Sequence, residues 1–279
     1  MRASVSPTSE PLPAPGQTAV DDTGEAVALP RAVRRVVSLV PSLTETVAVS
    51  APGLLVGATD WCTEPAVLDV ARVRGTKNPD TAAVVALAPD LVLANAEENR
   101  DVDLAVLRAA GLAVWVTAPE TLDAALVSLE RVLAACGVGR PDWLEVAGRE
   151  WAVPWGGGEP EGPGGGEPGV RRRAVVPIWR RPWMALGRDT FAGDVLARLG
   201  VDNVLAGSPE RYPRVELVAL PPHDLVVLPD EPYAFTAGDG PEAFPGVAAA
   251  LVSGRHLTWY GPSLAEARAV LSAQLAAAR

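Results

Sequence analysis

Residues 84–95 read VVALAPDLVLAN, and residues 217–228 read LVALPPHDLVVL. Each is a short apolar segment broken by Pro, followed by an Asp and then a leucine and β-branched run suited to a buried strand. The first copy runs out into Ala96-Glu97-Glu98-Asn99 and the second into Pro229-Asp230-Glu231-Pro232. A helix-to-strand junction repeated at roughly half the chain length implies two similar α/β lobes. Lobes of that kind face each other across a groove, where small ligands usually bind.

The chain has 279 residues, 48% of them hydrophobic, which is room for two modest domains with cores of their own. Its net charge is −10, and of the 24 basic residues only Lys77 is a lysine. So acidic a surface repels a phosphate backbone, which argues against a nucleic-acid partner. Cys62 and Cys136, with His223 and His256, show no metal-ligand spacing, so no metal site is expected and both cysteines read as small buried hydrophobes. Residues 1–32 are rich in Pro, Ser, Thr and Ala, carry Asp21, Asp22 and Glu25, and are expected to be a disordered tail. There is no apolar stretch after a basic start, no cysteine for lipidation and no run of membrane-span length. As written the chain is expected to be cytoplasmic; a misassigned start codon would make it extracytoplasmic.

Outward from the repeat, the punctuation divides the chain into a first lobe at 33–139, a connecting helix and linker at 140–173, and a second lobe at 174–279. In the first lobe, strands are expected at 34–40, 54–58, 91–94 and 113–116. Ser42 with Glu45 reads as a capping box opening a helix to about Ser50. Further helices are expected over 81–88, 101–110 and from Thr121 to about Cys136. In the second lobe, strands are expected at 174–179, 224–228 and 256–259, with helices over 190–199 and 263–278. Pro141–Trp151 reads as a helix. Gly156–Gly169 lacks the Gly-Lys-Ser/Thr of a phosphate loop and reads as a flexible linker. Alternation of this kind gives mainly parallel sheets covered on both faces.

The aromatic residues carry most of the functional signal. Trp61, Trp179, Trp183, Tyr233, Phe235, Trp259 and Tyr260 fall at or just beyond expected strand C-termini, the ends that line the crevice of an open parallel sheet. Trp115, in mid-strand, reads as core. The strand-end set, with Pro41, Ser42, Asn95 and Met184, would suit a large, flat, partly apolar ligand. Trp61, Trp183 and Trp259 are expected to face one cavity. Arg180 and Arg181, beside tryptophans, would bind ligand carboxylate or phosphate, or else sit on a solvated loop in ion pairs with the acidic linker. Catalysis is poorly supplied: Ser42 has no nucleophile elbow around it, and neither histidine has an evident carboxylate partner.

Val36-Val37-Ser38-Leu39-Val40-Pro41-Ser42-Leu43-Thr44-Glu45 resembles the start of the iron-siderophore and cobalamin-binding family of ABC-importer substrate-binding proteins. So do Val56-Gly57-Ala58-Thr59-Asp60-Trp61-Cys62 with Pro65, the Asn78-Pro79-Asp80 turn and Leu87-Ala88-Pro89-Asp90-Leu91-Val92. Trp179-Arg180-Arg181-Pro182-Trp183-Met184, Arg211-Tyr212-Pro213 and Asp230-Glu231-Pro232-Tyr233 resemble its cobalamin-binding, or helical backbone metal receptor, subgroup. The resemblance covers about residues 33–275. It implies two Rossmann-like lobes linked by a single helix, a class III periplasmic-binding-protein-like fold, and a corrinoid or ferric chelate as ligand. It also implies docking on an importer permease through an acid at each lobe tip, near Glu97 or Glu98 and Glu216.

The reading is therefore a non-catalytic, monomeric protein with no intrinsic cofactor, which captures a cobalamin-like corrinoid or metal chelate for an ABC-type uptake system. A ferric siderophore or haem-like chelate receptor is the alternative. A cytosolic enzyme or cofactor-handling protein on the same fold is the reading from another class.

Overall fold

In the computed structural model, which describes residues 12–155 and 170–279, the repeated junction becomes the third strand longer than two residues in each of two parallel sheets. One compact unit runs to Ala118 and takes in Val127–Arg140; the other comprises Pro119–Leu126 and Pro141–Arg279. The first contains strands β1 (Thr18–Val20), β2 (Ala26–Ala28) and β3 (Val36–Ser38), helix α1 (Pro41–Ser50) and strand β4 (Leu55–Ala58). Three two-residue strands follow, β5 (Ala71–Arg72), β6 (Arg74–Gly75) and β7 (Asn78–Pro79). Then come α2 (Thr81–Ala86), β8 (Leu91–Asn95), α3 (Asp101–Ala109) and β9 (Val114–Thr117). Helix α4 (Leu122–Ala135) has its first residues in the second unit and the rest in the first.

The second unit continues with α5 (Asp142–Ala152), β10 (Arg172–Val175), β11 (Pro177–Arg180), β12 (Trp183–Ala185), α6 (Phe191–Arg198) and β13 (Val201–Asn203). It ends with β14 (Leu225–Pro229), β15 (Ala248–Val252), α7 (Gly254–Thr258) and α8 (Leu264–Ala276). The sheets run β5-β4-β3-β8-β9 and β13-β10-β14-β15, with every pairing parallel. In both, the first long strand lies between the second and the third, so the two lobes share one winding order. Strands β8 and β14 are buried at every residue, as expected of parallel strands covered on both faces.

The Asp that ends each repeated junction has the same task in both lobes. Asp90 Oδ2 accepts from the Arg34 and Arg35 N–H groups (2.8 and 2.9 Å), while its own N–H donates to the Arg35 carbonyl (2.8 Å). Asp224 Oδ2 accepts from Arg173 N–H (3.3 Å), and its N–H donates to the Arg173 carbonyl (2.9 Å). Each aspartate thus fixes the register between the first and third strands at their entry.

Several expectations need correction. Residues 12–32 are not a disordered tail: β1 and β2 form an antiparallel hairpin whose turn closes onto β9. Asp21, 3% exposed, accepts from Thr23, Glu25 and Val116 N–H groups, and Asp22 accepts from Ala118 N–H, Ser128 and Arg131. Acids that read as solubilising are therefore bound to the backbone of a sheet edge. The Ser42–Glu45 capping box does not form, because β3 runs almost directly into α1. Val40 is the cap, Pro41 opens the helix and Ser42 is buried in its first turn.

Before β14 the expected helix shrinks to one 3-10 turn, Leu217–Ala219, since Pro221 disfavours helical geometry at the residue before it. The strand expected at 174–179 leaves the sheet at Val175 and resumes as β11 in a separate hairpin with β12. The strand expected at 256–259 is helix α7; the fourth strand is β15, hidden in an alanine run with little strand propensity. Helix α5, expected to connect the lobes, belongs to the second unit, where Trp151 Nε1 donates to the Leu264 carbonyl (2.9 Å). The expected linker Gly156–Gly169 and residues 1–11 lie outside the described residues.

Burial works to raise the Asp224 carboxyl, but the Arg172 guanidinium and the Arg173 N–H outweigh it and hold the group below its ordinary value. A depressed folded-state value stabilises the fold above the unfolded value near ~4 and ceases to do so as pH falls through the folded one. The group is half exposed, so solvent screening leaves a modest effect. Asp224→Asn should cost about 0.5–1 kcal/mol in urea denaturation at pH 7. The difference from wild type should shrink below about pH 4; an equal difference at pH 3 would show that charge is not the cause.

Candidate functional site

In each lobe the strand order reverses beside the first strand, and the loops leaving the C-terminal ends there border the ligand crevice of such sheets. In the first lobe this loop system is held by two asparagines. Asn95 Nδ2 donates to the Thr117 carbonyl (2.9 Å), and its Oδ1 accepts from the Glu97 and Glu98 N–H groups (2.8 and 3.0 Å). Asn99 accepts from Asn95 N–H (2.9 Å) and donates to the Leu39 and Thr76 carbonyls (3.3 and 2.9 Å). Asn95, expected as a ligand contact, is buried and its amide shapes the turn. Pro41 is half-buried and Ser42 buried in the opening of α1.

Trp61 leaves β4 on a pinned loop. The Cys62 thiol lies 3.0 Å from Thr44 Oγ1 and 3.1 Å from Thr59 Oγ1, and the Arg72 guanidinium donates to the Thr59 and Cys62 carbonyls (both 2.9 Å). The tryptophan between them is 66% exposed. A pinned loop thus presents an indole to solvent. Burial pushes the Cys62 thiol up, and Cys136, in its own apolar surroundings, is pushed up to about 12. Both cysteines are buried and free.

The second lobe carries an aromatic wall on the β11–β12 hairpin and the loop after β14. Trp183 stacks on Phe235 (centroids 6.0 Å apart, planes at 5°) and meets Phe244 edge-on at 5.6 Å. Tyr233 packs on Phe235 at 4.6 Å and meets the edge of Trp179 at 5.7 Å. Phe235 is buried, Trp183 and Met184 are half-buried and Trp179 is 42% exposed. Gly240 makes this packing fit: its φ is +136°, and a Cβ there would stand 2.8 Å from Phe235 Cδ1.

Arg180 lies over the Trp183 ring, its guanidinium carbon 5.3 Å from the centroid, and pairs with both Asp239 and Glu242. Tyr233 donates its hydroxyl to Asp239 Oδ2 (2.7 Å). The Gly240 N–H bond, ahead of Arg180, holds Glu242 below the usual carboxylate range. Arg180 is thus paired with two acids of the loop after β14, which the sequence reading did not name; the linker acids expected as partners lie outside the described residues. Arg181 is exposed at the turn, where its carbonyl accepts from Trp179 Nε1 (3.3 Å).

Trp259 and Tyr260 follow a helix and are nearly buried, Trp259 donating to Glu231 Oε2 (3.0 Å) and Tyr260 packing edge-on against Phe191 at 5.7 Å. His256, read as lacking a carboxylate partner, has one: Nε2 lies 3.1 Å from Glu266 Oε1 and Nδ1 2.8 Å from Ser253 Oγ, tying α7 to α8. Glu97, Glu98 and Glu216 are exposed. Among the described residues no three His, Cys, Asp or Glu side chains converge as metal ligands, and no helix is long and apolar enough to cross a membrane. A hollow of about 250 Å³ beside the end of α1 is lined by small and aliphatic residues with one acid, Asp69, and lies away from the strand C-termini. Sequence reasoning missed Asp239, Glu242 and Phe244; the signal was the Gly-rich acidic turn Gly238-Asp239-Gly240-Pro241-Glu242, complementary to paired arginines.

The fold is that of the class III periplasmic binding proteins: two α/β lobes, each built on a parallel sheet. No family model matches the sequence, and no curated protein matches it. Among solved structures, the heme-binding protein HmuT aligns with 97% of this chain and 93% of its own at 20% identity and TM-score 0.72. The periplasmic heme-binding protein RhuT from Roseiflexus sp. RS-1 aligns with 88% of this chain and 98% of its own, at 19% identity and TM-score 0.69. The periplasmic vitamin B12 binding protein BtuF of Vibrio cholerae aligns with 87% and 96%, at 18% identity and TM-score 0.65. At these identities the likeness establishes the fold.

The wall has a structural and an exposed member, and they should separate on substitution. Trp183→Ala removes stacking on the lobe's core cluster and should cost about 2–4 kcal/mol in chemical denaturation. Trp179→Ala should cost less than about 1 kcal/mol. Equal losses would mean that Trp179 is a core residue in solution.

Proposed function

We propose that this chain is a non-catalytic receptor for a flat metal chelate, a corrinoid or a haem-like or siderophore complex, serving an ABC-type importer outside the cytoplasm. The observation that carries the reading is the aromatic wall of Trp179, Tyr233, Phe235 and Trp183 at the C-terminal edge of a parallel sheet. Stacked rings held by a braced hairpin offer a large apolar surface at little ordering cost, as a planar ligand requires. The exposed Trp61 on its pinned loop offers a second such surface in the first lobe. Solved structures of this fold that bind heme and vitamin B12 agree with the reading. Trp61, Trp179, Trp183, Met184, Tyr233 and Arg181 are the contacts we propose; Phe235 supports Trp183 and Tyr233 from beneath.

Titration of the purified protein with cobalamin, cobinamide, hemin and ferric siderophores, followed by tryptophan emission, tests this directly. Saturable quenching by at least one chelate is expected. Trp61→Ala or Trp179→Ala should weaken that binding by about 1–3 kcal/mol. An unchanged emission spectrum with every chelate would overturn the reading.

For docking we propose Glu216 on the second lobe and Glu97 or Glu98 on the first, meeting basic residues of a permease. Attraction between exposed charges steers encounter and fades with salt. Glu216→Lys with Glu98→Lys should abolish uptake in cells while leaving chelate affinity within about twofold. Retained uptake would place docking elsewhere.

A further inference from the structure

Helices α2 and α3 lie side by side on the first lobe's sheet, where Val84 of α2 and Leu104 and Leu107 of α3 enter one core cluster. Their outer faces are apolar as well. In α3, Val102, Ala105, Val106 and Ala109 recur at the i, i+3, i+4, i+7 spacing of a helix stripe. All four are exposed, Val102 at 64% and Val106 at 53%. In α2, Ala82, Val85 and Ala86 are exposed at the same spacing. A helix covering a sheet ordinarily turns polar side chains to water, as α5 does with Asp142, Glu145, Arg149 and Glu150. Helix α3 instead carries two apolar stripes, one in the core and one outside it. An apolar surface of this kind marks a place that a partner covers.

The outer stripe of α3 is its own complement, which is what a two-fold interface requires. Let two copies of α3 pack antiparallel about an axis passing between Ala105 and Val106. Val102 of each copy then faces Ala109 of the other, and Val106 faces Ala105, so every valine meets an alanine small enough to admit it. The charges match under the same operation. Asp101 and Arg108 lie on one flank of the stripe, and the two-fold sets Asp101 of one copy within about 3 Å, along the axis, of Arg108 of the other. Asp101 is exposed and has no ion-pair partner among the described residues. The Arg108 side chain is 33% exposed and approaches Asp21 through one nitrogen at 3.8 Å, which leaves N–H groups for a second acid.

We infer that the α2–α3 face of the first lobe is the interface of a two-fold dimer of this chain, in place of the monomer expected from the sequence. Two short helices bury less than an obligate interface does, so the dimer is weak and its population follows concentration. The inference does not depend on which ligand the chain binds.

Sedimentation velocity on the full chain, from about 10 μM to about 1 mM, tests it. The weight-average mass should rise toward twice that of the monomer. Val102→Glu with Val106→Glu, at positions already exposed, should raise the dissociation constant at least about tenfold. Asp101→Arg, which sets two guanidinium groups against each other, should also weaken the dimer. Oxidative cross-linking gives a second readout, since both native cysteines are buried. Ala105→Cys, beside the axis, should form an intermolecular disulfide far faster than Val67→Cys, which is 89% exposed on another part of the lobe. A monomer at every concentration, with the two cysteine variants cross-linking alike, would overturn the inference and leave the face to a different protein. A dimer that the paired valine substitutions do not weaken would overturn it too, by placing the interface elsewhere.

Discussion

Everything in the two sheets depends on how the first and third strands of each lobe meet. Parallel strands have no hairpin turn to set their register, so some other contact must do it. Here it is a single aspartate per lobe, Asp90 or Asp224, bonded through side chain and backbone to the entry of the first strand. Once that pair is aligned, the remaining strands add outward from it on either side. The loops at the far end, which carry Trp61 in one lobe and open into the aromatic hairpin in the other, inherit their positions from it.

The aromatic hairpin shows how a ligand surface can be rigid without being part of a core sheet. Strands β11 and β12 lie outside the parallel sheet and β12 is bridged besides only to Arg214, yet the Trp183–Phe235 stack, the Gly240 approach and the two-acid grip on Arg180 brace them from the loop after β14. Each brace contributes modestly; together they leave Trp179 as the member that faces out. The same grip that holds the hairpin also keeps Arg180 over the Trp183 ring.

Much of this was legible in the sequence, for identifiable reasons. The repeated junction is local, and buried leucine and β-branched runs bounded by Pro and Asp read plainly, so β8 and β14 lie where expected. Trp61, Tyr233 and Phe235 lie beyond strand ends for the same reason, whereas Trp259 and Tyr260 follow a helix. What failed depended on partners distant in sequence. Asp21 and Asp22 look like tail residues until Val116 and Ala118, some 95 residues later, supply their N–H groups. Nothing local distinguishes an arginine poised for ligand from one held by Asp239 and Glu242. Strand β15 was lost because alanine carries too little strand preference to announce itself, and α7 was read as strand in its place.

The N-terminal hairpin closes the outer side of β9, with Asp22 N–H bonded to the Val116 carbonyl and Arg131 packed over the ring of Trp115. A chain trimmed to begin at residue 33, where composition alone would draw the domain boundary, would leave that strand's backbone groups bare beside a large indole. Unpaired strands of this kind recruit other chains. Residues 12–32, which composition alone would set aside, thus cover an open sheet edge, and their removal should be felt first in solubility, before any loss of ligand binding.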